Sequence, residues 1–167
     1  IISQVLGPEH VTPYAIAFKY FSLITMVFML VANPLWSSFT DAYQRDDIGW
    51  IKNTITKFRK ITIWLSGLVV VMVLISKTFY VFWIGDTVQI PFLLSVLFGI
   101  NVIIMMFTTP FVFFINGAGI ITLQLIVGIV EALINIPLSI FLAISMDMGI
   151  MGVILATCLA NSIALIL

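Results

Sequence analysis

An acidic residue inside an apolar segment is the first candidate for chemistry in this chain. Glu131 lies near the middle of the apolar run 120–144, where an ionised side chain costs about 3 kcal/mol in lipid. Helical spacing places polar or small residues on the same face: Gln124, Gly128, Asn135 and Ser139. Such a stripe must face protein or a water-filled cavity, because lipid offers no hydrogen-bond partners. Two interpretations stay open: a neutral or hydrogen-bonded carboxyl that holds helices together, and a cavity residue that meets a coupling ion or substrate.

A basic residue in the first apolar run is the second candidate. Lys19 lies about two turns into that run and either snorkels outward or points into a cavity. In a cavity its charge would suit a diphosphate or another anionic headgroup, because Coulomb attraction strengthens as water is excluded. Asn33 shares its general face, together with Ser22, Met26 and Ser37. On the third run, Asn101 and Thr108 form a weaker polar line, for which we expect helix-packing hydrogen bonds.

Motifs of enzymes and metal sites are missing. His10 is the one histidine, and Cys158 is the one cysteine and lies in an apolar run. Neither a two-histidine zinc helix nor a disulfide framework can be built from them. The segment 116–119 begins like a glycine-rich nucleotide loop, but Thr122 replaces its third glycine. The sequence therefore predicts no catalytic residue, no metal and no cofactor.

The elements that position these residues are membrane helices. Of the 167 residues 62% are hydrophobic and 8% charged, against about 25% charged in soluble domains. A helix needs roughly 20 apolar residues to cross a bilayer. Five runs meet or approach this length: 14–39, 61–84, 90–115, 120–144 and 150–167. We therefore predict an all-α, polytopic membrane helix bundle of about five transmembrane helices.

Charge placement predicts how the bundle is oriented. Most basic residues lie in the connection 41–60: Arg45, Lys52, Lys57, Arg59 and Lys60. The positive-inside rule puts this connection in the cytoplasm, and the short links then place 7–13, 85–89 and 145–149 outside. Within the basic connection, Ile51, Ile55 and Phe58 recur at helical spacing. This pattern predicts an interfacial helix that runs into the second span.

Prolines and small residues predict how the helices bend and pack. Pro34, Pro110 and Pro137 lie inside apolar runs, where proline removes a backbone hydrogen bond and kinks a helix. Kinked helices are typical of transporters, but proline is also frequent in membrane helices generally. In the last run, small residues repeat every four positions and predict close helix packing: Gly152, Ala156 and Ala160.

Several short motifs resemble one transporter family when they are taken in order. They are Leu35-Trp36-Ser37-Ser38-Phe39-Thr40-Asp41-Ala42-Tyr43, then Asp46-Asp47 and Trp50-Ile51-Lys52, then Phe114-Ile115-Asn116-Gly117, then Gln124, then Asn135-Ile136-Pro137-Leu138-Ser139, then Gly149-Ile150-Met151-Gly152-Val153. Their order and spacing are similar to those of bacterial polysaccharide-export flippases of the multidrug/oligosaccharidyl-lipid/polysaccharide exporter superfamily.

This resemblance implies a transporter of twelve or more helices in two bundles around a central cavity. Residues 1–167 would then be a fragment, most of the second bundle, in the bacterial cytoplasmic (inner) membrane. The implied function is flipping of undecaprenyl-diphosphate-linked oligosaccharide by alternating access, for O-antigen, lipopolysaccharide or capsule synthesis. Lys19, Asn33, Gln124, Glu131 and Asn135 would belong to the substrate or coupling-ion cavity. Such a protein works beside polysaccharide polymerase machinery, and no nucleic acid is involved.

Other functions remain alternatives. A cation-coupled multidrug exporter of the same superfamily would share the fold, and a noncatalytic membrane subunit would use the Glu131 stripe to contact a partner. A membrane polymerase or ligase acting on the same glycolipids is disfavoured. Such enzymes carry a large outward loop with catalytic arginines and histidines, whereas the outward connections here are a few residues long.

Overall fold

The computed structural model of the chain describes residues 2–85 and 87–163. Within these ranges the chain is helical and contains no strand. The α-helices are Ile2–Val5 (α1), Val11–Ala32 (α2), Leu35–Gln44 (α3), Ile48–Ile84 (α4), Phe92–Gly117 (α5), Ile121–Ile140 (α6) and Gly149–Ile163 (α7). A 3-10 turn, Pro8–His10, precedes α2, and a π-helical turn, Phe141–Ser145, extends α6.

Four helical segments are long and apolar enough to cross a bilayer. They are Pro8–Gln44, Ile48–Ile84, Phe92–Gly117 and Ile121–Ser145, and their apolar windows have mean hydropathies of 2.0 to 2.3. The all-helical prediction is confirmed, and these four segments indicate a multi-pass membrane protein. α7 is also apolar and has 15 residues; the end of the predicted run 150–167 lies outside the described residues.

The first predicted span is divided at its proline. α2 ends at Ala32 and α3 begins at Leu35, so Asn33 and Pro34 form a turn between them. Proline explains the break, because its ring lacks an N–H and clashes with the preceding helical turn. α5 and α6, in contrast, continue through Pro110 and Pro137.

α4 joins the predicted basic connection to the second span without interruption. It is 37 residues long, and the side chain of Asp47 caps its first turn by accepting a hydrogen bond from the backbone N–H of Trp50 at 2.9 Å. Ile51 and Phe58 are buried in this first part of the helix. The spacing of these apolar residues therefore packs this part of the helix against the bundle, and the predicted continuation into the second span is confirmed.

α5 lies at the centre of the bundle and packs against α2, α3, α4 and α7. Phe98 on α5 contacts the rings of Tyr14 and Phe21 on α2, with ring centroids 5.0 and 6.2 Å apart. The hydroxyl of Tyr80 on α4 is hydrogen-bonded to Ser95 on α5 at 3.0 Å. Aromatic packing and a few interhelical hydrogen bonds thus hold α2, α4 and α5 together.

α6 stands at the edge of the bundle and packs mainly against α7. The closest approach is at Gly152 of α7, where an added Cβ would lie 2.7 Å from the backbone nitrogen of Ala143 in the π-helical turn. Ala156 and Ala160, one and two turns further on, are also buried. The predicted packing role of these three small residues is confirmed.

Candidate functional site

The polar stripe of α6 changes from exposed to buried along the helix. Gln124 and Gly128 are exposed, Glu131 and Asn135 are half-buried, and Ser139 is fully buried at 0% exposure. Burial increases in this direction because α7 covers the C-terminal half of α6. The stripe is therefore buried at its C-terminal end, at Ser139, and exposed at its N-terminal end, at Gln124 and Gly128.

Asn135 anchors α6 to α7 through its side-chain amide. Its Nδ2 donates to Thr157 Oγ1 on α7 at 3.1 Å, and its Oδ1 accepts from Ser139 Oγ at 3.4 Å. Thr157 in turn donates to the backbone carbonyl of Val153 at 3.0 Å. Thr157 thus both accepts and donates a hydrogen bond, and Ser139 donates one, which satisfies polar groups that lipid would leave unpaired.

A hydrogen bond between two asparagine side chains joins α7 to the central helix, α5. Asn161 Nδ2 donates to Asn101 Oδ1 on α5 at 2.9 Å. The expectation of helix-packing bonds for the Asn101 line is confirmed for Asn101 itself. Thr108 instead donates to the carbonyl of Met105 on its own helix, at 3.0 Å.

Glu131 lines an open cleft together with Asn135 and Asn161. The cleft has a volume of about 330 Å³. Its lining includes Gly128, Glu131, Asn135 and Ile136 of α6 and Ala160 and Asn161 of α7. An adjoining open surface, lined by residues of α6 alone, extends along the helix past Gln124 and Gly128. Together they form one groove along the stripe, which we name the α6 groove.

In the part of the chain that the structure describes, the lining of the α6 groove contains a carboxyl group and side-chain amides and no basic residue. Among the described residues, no hydrogen bond or salt bridge engages the Glu131 carboxyl. The salt bridges within 2–85 and 87–163 are the exposed pairs Arg45–Asp41, at 2.9 Å, and His10–Glu9, at 3.9 Å. The described part of the chain also contains no group of three His, Cys, Asp or Glu side chains placed to hold a metal.

The structure separates the two candidates of the first span from the α6 groove. Lys19 and Asn33 are exposed, whereas the buried face of α2, which includes Ala17, Phe21 and Phe28, packs against the bundle. α2 packs against α4 and α5, while α6 packs mainly against α7. Gln124, Glu131 and Asn135 therefore share one groove, and Lys19 and Asn33 lie on another face.

Three polar residues near candidate sites escaped the sequence analysis. Lys77 lies within the predicted second span, as Lys19 lies within the first, and it lines a cavity of about 480 Å³ with Tyr80 and Gln89. Lys19 was chosen because it is a charged residue inside an apolar run, and the same criterion selects Lys77. Thr157 and Asn161 were also missed, although polar residues four apart in an apolar helix are a readable signal.

No protein family, curated protein or solved structure matches the chain. Its function is therefore inferred from the residues and geometry described above.

Proposed function

We propose that the chain is part of a membrane transporter that translocates lipid-linked oligosaccharide across the bacterial cytoplasmic membrane by alternating access. Its polysaccharide would be an O-antigen, lipopolysaccharide or related polymer. The α6 groove is the main support, because it places a carboxyl and amides at membrane depth on a helix that is otherwise apolar. The ordered motifs that resemble polysaccharide-export flippases give the substrate class.

The chemistry of the α6 groove suits an amphiphilic substrate. Sugar hydroxyls both donate and accept hydrogen bonds, and Gln124, Glu131 and Asn135 offer both kinds of partner. Apolar residues beside the stripe, such as Leu125 and Leu133, are 61% and 68% exposed. A glycan headgroup would pass along the groove while its prenyl chain stays in contact with these side chains and lipid.

The two-bundle architecture belongs to this proposal. The chain would form most of one bundle, and the α6 groove would face the other bundle across the central cavity. Substrate sites of secondary transporters lie near the bilayer midplane at such repeat interfaces. Because the groove holds no basic side chain, recognition of the diphosphate would fall to residues of the opposite bundle.

Glu131→Gln in the full-length protein tests the proposal. We expect delivery of lipid-linked oligosaccharide to the outer leaflet to fall about tenfold, equivalent to about 1.4 kcal/mol of barrier, because the amide cannot carry the carboxylate's charge. Glu9→Gln is the matched control, since Glu9 is an exposed carboxylate outside the groove, and it should leave transport unchanged.

Measuring the membrane level of each variant separates failed insertion from failed transport. Normal transport by a stably inserted Glu131→Gln protein would remove Glu131 from the mechanism and leave it a packing residue.

A cation-coupled drug exporter is the second candidate. It is favoured by one observation, that Glu131 is the one charged residue in the lining of the α6 groove, which suits a cationic substrate. Efflux of a cationic dye that depends on Glu131, without a defect in glycolipid delivery, would select this function over the first.

A further inference from the structure

The first part of α4 presents a strongly basic surface. Lys52, Lys57, Arg59 and Lys60 are exposed around the part of the helix circumference that the buried Ile51 and Phe58 leave open. No salt bridge joins any of these four to a carboxylate in the described ranges, where Asp41 pairs with Arg45. The nearby Asp47 is occupied in capping α4. The surface therefore keeps a concentrated positive charge.

Arg59 differs from the other three because it borders a groove between α4 and α5. This groove has a volume of about 80 Å³, and we name it the α4–α5 groove. Its apolar walls are formed by Ile55 of α4 and by Phe107, Pro110 and Phe111 of α5. Lys52, Lys57 and Lys60 do not line it.

The two threonine hydroxyls in the lining of the α4–α5 groove already donate hydrogen bonds to backbone carbonyls. Thr56 donates to the carbonyl of Lys52 at 2.8 Å, and Thr62 donates to the carbonyl of Met106 at 3.3 Å. Among the described residues that line the groove, Arg59 is thus the one that is charged, and the others are apolar or already hydrogen-bonded. This is the combination that an amphiphile with an acidic head requires.

Trp64 indicates the depth of Arg59 in the bilayer. It is 83% exposed and lies five residues beyond Arg59, about 7.5 Å along the helix axis. Exposed tryptophan rings favour the boundary between headgroups and hydrocarbon. Arg59 is therefore placed at the level of lipid phosphates, and the wall of the groove at Phe107, level with Thr62, lies on the hydrocarbon side of it.

We propose that the α4–α5 groove binds one anionic phospholipid. The lipid phosphate lies against the guanidinium of Arg59, which forms strong charge-assisted hydrogen bonds with phosphate oxygens. One acyl chain lies along Phe107, which is level with Thr62 and therefore on the hydrocarbon side of Arg59. Basic pockets between transmembrane helices bind acidic headgroups in this manner. The proposal does not depend on the transport function, because it uses none of the residues of the α6 groove.

Lipid retention by the purified full-length protein tests the site. The protein in detergent is mixed with dioleoyl phosphatidylglycerol or dioleoyl phosphatidylcholine, and bound lipid is counted by native mass spectrometry. We expect the unsubstituted protein to bind phosphatidylglycerol about tenfold more tightly than phosphatidylcholine. Arg59→Gln should abolish that preference.

Lys57→Gln is the matched control for Arg59→Gln. It removes the same charge from the same part of α4 but from an exposed residue outside the groove, so its effect should stay within about twofold. Thr56→Trp should also weaken phosphatidylglycerol binding, because the indole fills the groove without changing the charge. Equal losses in Arg59→Gln and Lys57→Gln would show a diffuse electrostatic surface and overturn the site. Absence of a phosphatidylglycerol preference in the unsubstituted protein would overturn it as well.

Discussion

Pro110 leaves a carbonyl of α5 without its usual donor. In a helix the carbonyl of residue 106 accepts from the N–H of residue 110, which proline lacks. Thr62 of α4 supplies the missing bond, since its hydroxyl donates to the Met106 carbonyl at 3.3 Å and is fully buried. Thr62→Val should therefore destabilise the bundle by about 1 kcal/mol, measured by denaturant unfolding in micelles.

A double-mutant cycle isolates this bond. Pro110→Ala restores the N–H of residue 110, so Thr62→Val should cost clearly less in that background. Thr25→Val is the control, because Thr25 donates to the Phe21 carbonyl of its own helix at 3.3 Å and should change stability little. An equal cost of Thr62→Val with and without Pro110 would contradict the assignment.

At the level of single residues, the sequence identifies which side chains matter but not their partners. Glu131 is evident because a charge within an apolar run is costly. The bonds of Asn135 to Thr157 and of Asn161 to Asn101 depend on the register between α6, α7 and α5. Helical periodicity gives the face of a residue on its own helix and says nothing about that register.

The contact between α7 and the end of α6 depends on a glycine. An added Cβ at Gly152 would lie 2.7 Å from the backbone carbon of Leu142 and from the backbone nitrogen of Ala143. Gly152→Ala should therefore destabilise the protein by about 1 to 3 kcal/mol, because the backbones of α7 and of the π-helical turn would have to move apart. Gly67→Ala on α4 is the control, since no atom lies within 4 Å of its added Cβ. Unfolding in detergent should show Gly67→Ala to be neutral or stabilising, and equal destabilisation by both variants would show that close packing is not the cause.

At the level of helices, length and hydropathy predict most of what is observed. The exceptions are local changes in backbone hydrogen bonding. The break between α2 and α3 falls at Pro34, one of the three prolines for which a bend was predicted, whereas the π-helical turn Phe141–Ser145 was not predicted. In this turn the N–H of Met146 donates to the Phe141 carbonyl, five residues back, at 3.3 Å. A single widened turn changes the free energy of folding too little to require particular residue types. The sequence therefore does not reveal it.

The whole molecule has an uneven charge distribution that predicts its orientation. The connection formed by α3 and the start of α4 carries most of the basic residues, whereas the segments around Gln89 and Ser145 carry no lysine or arginine. The positive-inside rule therefore places Gln44 in the cytoplasm and Gln89 and Ser145 outside. This topology is predicted from the charges of the connections alone, without knowing how the helices pack.

Cysteine accessibility tests the orientation in a Cys158→Ala background, because Cys158 is the native thiol. Gln44, Gln89 and Ser145 are all exposed, so a cysteine at each can react once a reagent reaches its side of the membrane. A membrane-impermeant maleimide should label the Gln89→Cys and Ser145→Cys proteins in intact cells and the Gln44→Cys protein after permeabilisation alone. The opposite pattern would invert the bundle, and labelling of Gln89→Cys without Ser145→Cys would show that α5 and α6 do not form a pair of full crossings.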